Sequence, residues 1–495
     1  MPFFSVGKYF NRTLALSCAL VALSQLSYGF DNQGFATTQS MTAFEKQFGE
    51  YDTKTGSYAI PTYFLSLLNS LNYIGFAVGL VVGSLISNRY GRRVCMISMN
   101  CWALVTATII ITSQTRGQIL AARILNYAFV GMELAVVPVY QAEIVPAPVR
   151  GFAVGTYQLS VTVGGLIIHV ICRATSTLPG NASWRIPLGL YYIIPSVVLC
   201  LIWWIPESPR WLLTKDRPDE AAAAMKRLRS GRFSDEEIAA ELSDLQIALA
   251  TEVEHGTFTE LFQGVNLKRT FIVIGLNFFQ QATGQAFASQ YGAIFIKSLN
   301  TINTYDVTLM NSAIATVICL LSNLFSDRAG RRPLLLLSAG IQAVALFAMA
   351  GLGEASSSAS GSALKHISAA IVAMLTLFGV GFATGWGPLT YVVSAEVPAL
   401  RLRDQSQRVA MLTNIAMNFV VTFTLPYLLD DGYAALHAKV GFIFGSLAVA
   451  AAVFTYFYVP DCRGKSLEEV DRLFHERVPV RHFSQMTKVD ELEHP

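Results

Sequence analysis

Residues 87–93 read SNRYGRR, and residues 326–332 read SDRAGRR. Each is a short basic stretch kinked by a glycine, and each lies between two long apolar runs. A helix that crosses a bilayer takes about 20 apolar residues. An arginine-rich turn between two such runs is a helical hairpin bend held at the membrane surface. Its recurrence in the second half makes the chain an internal repeat.

Working outward from the two turns, apolar runs fall at 14–34, 62–86, 94–113, 119–140, 151–173 and 185–205. A second set falls at 270–297, 308–326, 333–353, 367–395, 408–428 and 438–459. Each basic turn follows the second run of its set. Two more echoes link PVYQAEIVPAPVR (138–150) to PLTYVVSAEVPALRLR (388–403), and PESPRWL (206–212) to PDCRGKSLEE (460–469). Paired halves of this kind mark rocking transporters. The expected fold is an all-α membrane protein, twelve transmembrane helices in two six-helix bundles with pseudo-two-fold symmetry. The expected division is an N-terminal bundle at 1–212, a cytoplasmic helical linker at 213–268, a C-terminal bundle at 269–460 and a cytoplasmic tail at 461–495. Ser466 to Glu469 should cap a short helix in that tail.

Composition agrees. The 495 residues are 53% hydrophobic and 14% charged, against about 25% charged in soluble proteins. That excludes an ordinary soluble enzyme and a disordered scaffold. The net charge of +3 is small, and its placement says more. Most arginines gather on the side of the two basic turns, whereas Lys46, Lys54 and Arg116 lie on the other. The basic side is then cytoplasmic, with both termini there and the plasma membrane as the expected location. Trp203, Trp204 and Trp211 should mark that boundary. The first run, at span length and without a small-residue cleavage site, reads as a span rather than a signal peptide. The external loops read as unremarkable: 35–60 is the longest, and 354–365 is Ser/Gly-rich and expected to be flexible.

Seven cysteines form no CxxC pair or Cys/His cluster, so no metal is expected and the thiols read as small buried hydrophobes. GxGxxG and GxxxxGK[ST] are absent, and no nucleophile–base arrangement is visible. The chain is therefore read as no enzyme, with no cofactor and no nucleic-acid partner. Asn181-Ala182-Ser183 is an external sequon, read as a glycosylation site.

The doubled turn, PESPRWL, WRIPLG (184–189) and QQATG (280–284) together resemble the sugar porters of the major facilitator superfamily, in their fungal form. The resemblance covers nearly the whole chain. It implies a monomer in the lipid bilayer that works by alternating access around one central site.

Asp31 lies near the outer end of the first run. A charge there costs about 2.5–3.5 kcal/mol on insertion scales and needs a reason. Arg123, near the outer end of the fourth, offers a partner. The resemblance implies that the two form a proton-coupling pair; a static ion pair is the alternative. Glu133 is a second embedded acid that could carry a proton, touch substrate or bind a polar group across a helix interface. The resemblance places Gln158, Gln280 and Gln281 in the substrate site, joined by Gln285, Tyr291, Trp386, Tyr391 and Asn414. Amides both donate and accept, which suits uncharged hydroxyls. Ala286, Tyr391 and Ile415 depart from the family's pattern, so the substrate is read as a sugar or polyol without naming glucose. A cytoplasmic gate is expected from Arg89, Arg93, Glu143, Arg150, Glu207 and Arg210, with Asp327, Arg328, Arg332, Glu396 and Arg403 in the second half. The expected function is proton-coupled symport of a sugar or sugar-like compound. A passive facilitator, an exporter or a nutrient receptor are the alternatives, the receptor disfavoured by a tail of about 35 residues.

Overall fold

In the computed structural model, caps and glycines set where each apolar run becomes a helix and where it stops. The structure describes residues 7–53, 56–250, 257–299, 303–463, 467–476 and 478–483. The first span is Arg12–Thr38, begun by Asn11, whose side chain accepts from the Leu14 amide at 2.8 Å. The second runs from Thr62 to Ser70 and from Asn72 to Tyr90, and Gly91, at φ +105°, ends it. The third is Arg92–Thr112. The fourth, Arg116–Ile144, starts at a capping box of Thr115 and Gln118. The fifth is Ala147–Thr175 and the sixth Ala182–Trp204.

In the second half the eighth to twelfth spans are Thr304–Ala329, Arg331–Ser356, Ser362–Glu396, Arg403–Leu429 and Val440–Tyr458. Among the described residues eleven helices are long and apolar enough to cross a membrane. The seventh span completes the twelve in three pieces, Gly264–Ala282, Gln285–Gln290 and Gly292–Ser298. Gly284 makes the first break. It sits at φ +90°, and a Cβ there would lie 2.7 Å from the Phe444 ring. Glycine alone meets both conditions cheaply.

The chain forms two compact units. One is Met1–Pro61 with Leu71–Glu252; the other is Thr62–Ser70 with Val253–Pro495. Small residues set the spacing inside the first. A methyl on Gly29 would run into the backbone of Val161, and one on Gly75 into that of Ile124. The first and fifth spans, and the second and fourth, thus pack backbone to backbone. The polar stretch after the sixth span forms helices Pro209–Thr214, Pro218–Arg229 and Asp235–Ala250. Arg229, fully buried, ties them down by donating to Ile144 O and to both oxygens of Glu241. In the second unit the tail helix Leu467–His475 puts Val470, Leu473 and Phe474 into the apolar core. Ser466, expected to cap it, lies outside the described residues.

Three expectations need correction. The loop at 35–60 is built: helix Thr42–Phe48 is followed by strands β1 (Glu50–Asp52) and β2 (Ser57–Ala59), with Tyr51 opposite Tyr58. Phe44 and Phe48 hold it by packing edge-on to the Trp184 ring. Trp203 and Trp204 are exposed, but Trp211 is buried and donates to Asn88 O at 3.0 Å. It packs the first basic turn instead of the headgroup layer. Of the cysteines, Cys95, Cys172, Cys319 and Cys462 are buried, whereas Cys101 and Cys200 are exposed on helices that read as spans.

Candidate functional site

Positions 123, 126 and 127 share one face of the fourth span, and that face meets Asp31. Arg123 Nη1 donates to Asp31 Oδ2 at 2.9 Å, and Asn126 Nδ2 donates to Oδ1 at 2.7 Å. Asp31 is 4% exposed and Arg123 1%. Arg123 Nη2 donates to the Tyr127 hydroxyl, which donates to Asn32 Oδ1. Tyr191 donates to the Asp31 carbonyl. The guanidinium lies 4.1 Å from the Phe35 ring centre and 4.4 Å from that of Tyr127. Phe35 packs edge-on to Phe44 of the loop helix. The guanidinium therefore lies between an aromatic ring of the first span and one of the fourth, with Phe44 of the loop helix packed behind Phe35. Asn126 and these aromatic residues were not singled out in the sequence. Asn126 carries a signal, its one-turn spacing from Arg123; Phe44 carries none.

Glu133 is fully buried farther along the fourth span. Among the described residues its carboxylate oxygens make no hydrogen bond of normal geometry, and Tyr157 of the fifth span lies beside it. Near the C-terminal end of the fourth span, Gln141 Oε1 accepts from Gln25 Nε2 of the first span at 2.9 Å. Gln158 is half-buried on the fifth span. His169, late in the fifth span, is buried.

The second unit gathers the amides. Gln280 Nε2 donates to Trp386 O and Gly387 O, and its Oε1 accepts from Asn414 Nδ2 at 2.7 Å. Gln281 Nε2 donates to Asn414 Oδ1 at 3.2 Å. Asn277 Nδ2 donates to Ser394 Oγ and completes the cluster. Asn277 was missed, though 277, 280 and 281 are one face by spacing. The tenth span breaks at Gly385, one residue before the WGP stretch. A Cβ at Gly385 would lie 2.7 Å from Leu334 O, and the Trp386 amide donates to Ser338 Oγ. This close approach to the ninth span seats Trp386, which is fully buried with its Nε1 unpaired among the described residues. Asn418 Oδ1 is likewise buried and unpaired there. The Tyr291 hydroxyl is committed to Thr422 O at 2.8 Å, tying the seventh span to the eleventh. Gln285 accepts from Ser289 Oγ, and Tyr391 is 40% exposed.

The basic turns repeat in atomic detail. Arg92 forks onto both oxygens of Glu143 at 2.8 and 2.9 Å. Glu207 accepts the amides of Arg92, Arg93 and Ser208, a carboxylate set on a helix N-terminus. Gly91 leaves room for it, since a Cβ there would lie 2.6 Å from Glu207 Oε2. In the second turn Arg331 Nη2 meets Glu396 at 3.2 Å, Asp461 Oδ1 accepts the Arg331 amide, and Gly330 sits at φ +90°. Burial pushes the Glu207 carboxyl above its ordinary range, against the amides of Ser208, Arg93 and Arg92 and the Arg93 charge, which pull it down. Arg92 and Arg331, which hold the glutamates, were not among the gate candidates. Their neighbours Arg93 and Arg332 donate to Ile202 O and Tyr456 O. Arg89 lies over the Tyr90 ring, Arg210 is exposed and Arg403 is half-buried. Each of these ion pairs is internal to its unit. The side chains of Arg150, Asp327 and Arg328 lie outside the described residues. Asn181 donates to Gln47 and accepts from Trp184 Nε1, so a glycan on its amide would displace the Gln47 contact.

Comparison with known proteins extends this geometry. A family model described as "Sugar (and other) transporter" matches residues 17–474. The chain is 30% identical over 472 residues to the major facilitator-type transporter ecdD of Aspergillus rugulosus, covering 93% of this chain and 87% of that one. It is 30% identical over 424 residues to the high glucose sensor RGT2 of Saccharomyces cerevisiae, covering 83% of this chain and 55% of the sensor. This chain thus spans about half of the sensor's length. Among solved structures, the inward open xylose transporter XylE from E. coli superposes with a TM-score of 0.73 at 22% identity, over 92% of this chain and 98% of that one. That likeness is one of fold.

Proposed function

Because this chain belongs to the Sugar (and other) transporter family, we propose that it carries a sugar or sugar-like polyhydroxy compound together with protons by alternating access. The observation that carries the coupling is the buried pair of Asp31 and Arg123. While paired, the carboxylate is tolerable as an anion. A helix rearrangement that withdraws the guanidinium strands a buried charge, which costs several kcal/mol. Taking up a proton removes that cost, and the return of Arg123 expels it. Glu133 of the fourth span, fully buried beside Tyr157, is assigned as a second protonatable group.

Gln280, Gln281 and Asn414 supply neutral donors and acceptors, and Trp386 Nε1 and Asn418 Oδ1, buried and without a hydrogen bond among the described residues, are assigned to meet substrate hydroxyls. Gln158, Gln285 and Tyr391 are assigned to the same recognition. Tyr291 supports it from behind, since its hydroxyl is spent on Thr422. Arg92 with Glu143, and Arg331 with Glu396, brace the two basic turns of the gate, in the plasma membrane with both termini cytoplasmic.

The test is uptake of pentoses, hexoses, disaccharides and polyols by a transporter-deficient cell at two external pH values. The wild type should accumulate one class uphill, more strongly at the lower pH, and lose this to a protonophore. Asp31→Asn should abolish accumulation and retain exchange. Undiminished uphill accumulation in that variant would remove the coupling assignment. Similarity to a glucose sensor favours sensing as a second reading; a sugar-dependent signal with no uptake of any compound would select it.

A further inference from the structure

An open surface cavity of about 560 Å³ lies in the first unit where the first span begins. Phe10, Asn11, Arg12 and Thr13 form one wall, and the turn Ser230-Gly231-Arg232 forms the other. Hydrogen bonds draw the two together. Asn11 Nδ2 donates to Arg227 O at 3.0 Å and Ser230 O at 3.1 Å, and Arg232 Nε donates to Phe10 O at 3.1 Å. Arg12 and Arg232 are exposed, and among the described residues no carboxylate lines the cavity. Of the three acids that follow the turn, Asp235 faces Lys226 at 3.3 Å, Glu237 accepts the Ser234 amide, and Glu236 is exposed. The wall at 11–13 is also the start of a 27-residue helix, and the Asn11 side chain takes only the Leu14 amide of its first turn.

The cavity also lies at the edge of the hydrocarbon. Arg227, whose carbonyl holds Asn11, donates through Nη2 to Trp204 O at 2.8 Å. Trp204 ends the sixth span, and it and Trp203 are 59% and 66% exposed. Indoles so placed favour the headgroup layer. Two guanidiniums beside a helix N-terminus, with no carboxylate among the lining residues, make a phosphate site. Beside an interfacial tryptophan pair, the phosphate belongs to a lipid. We propose that this cavity binds the headgroup phosphate of an anionic phospholipid, with Arg12 and Arg232 as its ligands.

The test uses the full chain in phosphatidylcholine nanodiscs doped with phosphatidylserine or phosphatidylinositol 4-phosphate. Thermal unfolding and native mass spectrometry of retained lipid are the readouts. Wild type should be stabilised by the anionic lipid and retain it. Arg12→Gln with Arg232→Gln should bind it about tenfold more weakly. Lys215→Gln, an exposed basic residue outside the cavity, should behave as wild type. Equal retention by the double variant and wild type would overturn the site. Stabilisation by inorganic phosphate alone, lost in the double variant, would overturn the lipid assignment. If the double variant does not fold, Arg232→Gln alone carries the same comparison.

Discussion

Arg123 has three separate attachments in the first unit: the Asp31 carboxylate, the Tyr127 hydroxyl and the faces of Phe35 and Tyr127. Lysine could keep the charge but neither the fork nor the stacking. Arg123→Lys should therefore lower stability by about 1–2 kcal/mol, the scale of a desolvated cation–π contact. Arg123→Leu should cost about 3–5 kcal/mol, because it strands a buried carboxylate. Thermal unfolding in detergent orders the three proteins, and Asp31→Asn added to Arg123→Leu should recover part of the loss. No recovery would mean that Asp31 is not the group left uncompensated. Sequence alone brings Asp31 and Arg123 to notice, because each is a charge inside an apolar run. It is silent on Phe35 and Phe44, since an aromatic residue near a span end looks the same whether it caps an ion pair or faces lipid.

Among the elements, the seventh span departs most from a plain helix. Its break at Gly284 turns the chain by a left-handed residue and brings the Phe444 ring against the backbone. Gln280 and Gln281 precede the break and Tyr291 follows it, so the kink sets the amides and the tyrosine on separate pieces. Gly284→Ala should cost about 2–4 kcal/mol, from the left-handed backbone and the crowding together. It should lower folded yield and thermal stability more than Gly340→Ala, a glycine with open space around it. Equal effects would mean that the break is not under steric control. The glycine is visible in QQATG, but the direction of the kink depends on the twelfth span, far away in sequence. The tenth-span break has the same origin: WGP signals that the helix is interrupted there, and the ninth span decides that Gly385 takes the bend.

At the scale of the whole molecule, charge should set which end faces the cytoplasm. The linker helices and both basic turns carry the arginines, while the loop with Lys46 and the β1–β2 hairpin lies at the other end of the first and second spans. A cysteine placed by Ser57→Cys in β2 should react with a membrane-impermeant maleimide on intact cells. One placed by Ser234→Cys, between the linker helices, should react only after permeabilisation. The reverse pattern would invert the topology and leave Asp31 at the cytoplasmic end.

The sequence by itself determined the number of spans, their grouping into two related halves and the identity of most polar residues inside them. These depend on local hydropathy, on glycine and proline, and on charges that stand out in an apolar background. Tertiary structure alone decided which neighbour each polar group meets. It chose Arg92 over Arg93 and Arg331 over Arg332 for the glutamates, buried Trp211 under the first turn, and spent the Tyr291 hydroxyl on a backbone carbonyl. Adjacent residues on a helix point about 100° apart, so identical side chains one position apart receive different partners. Only the packing of distant helices selects between them.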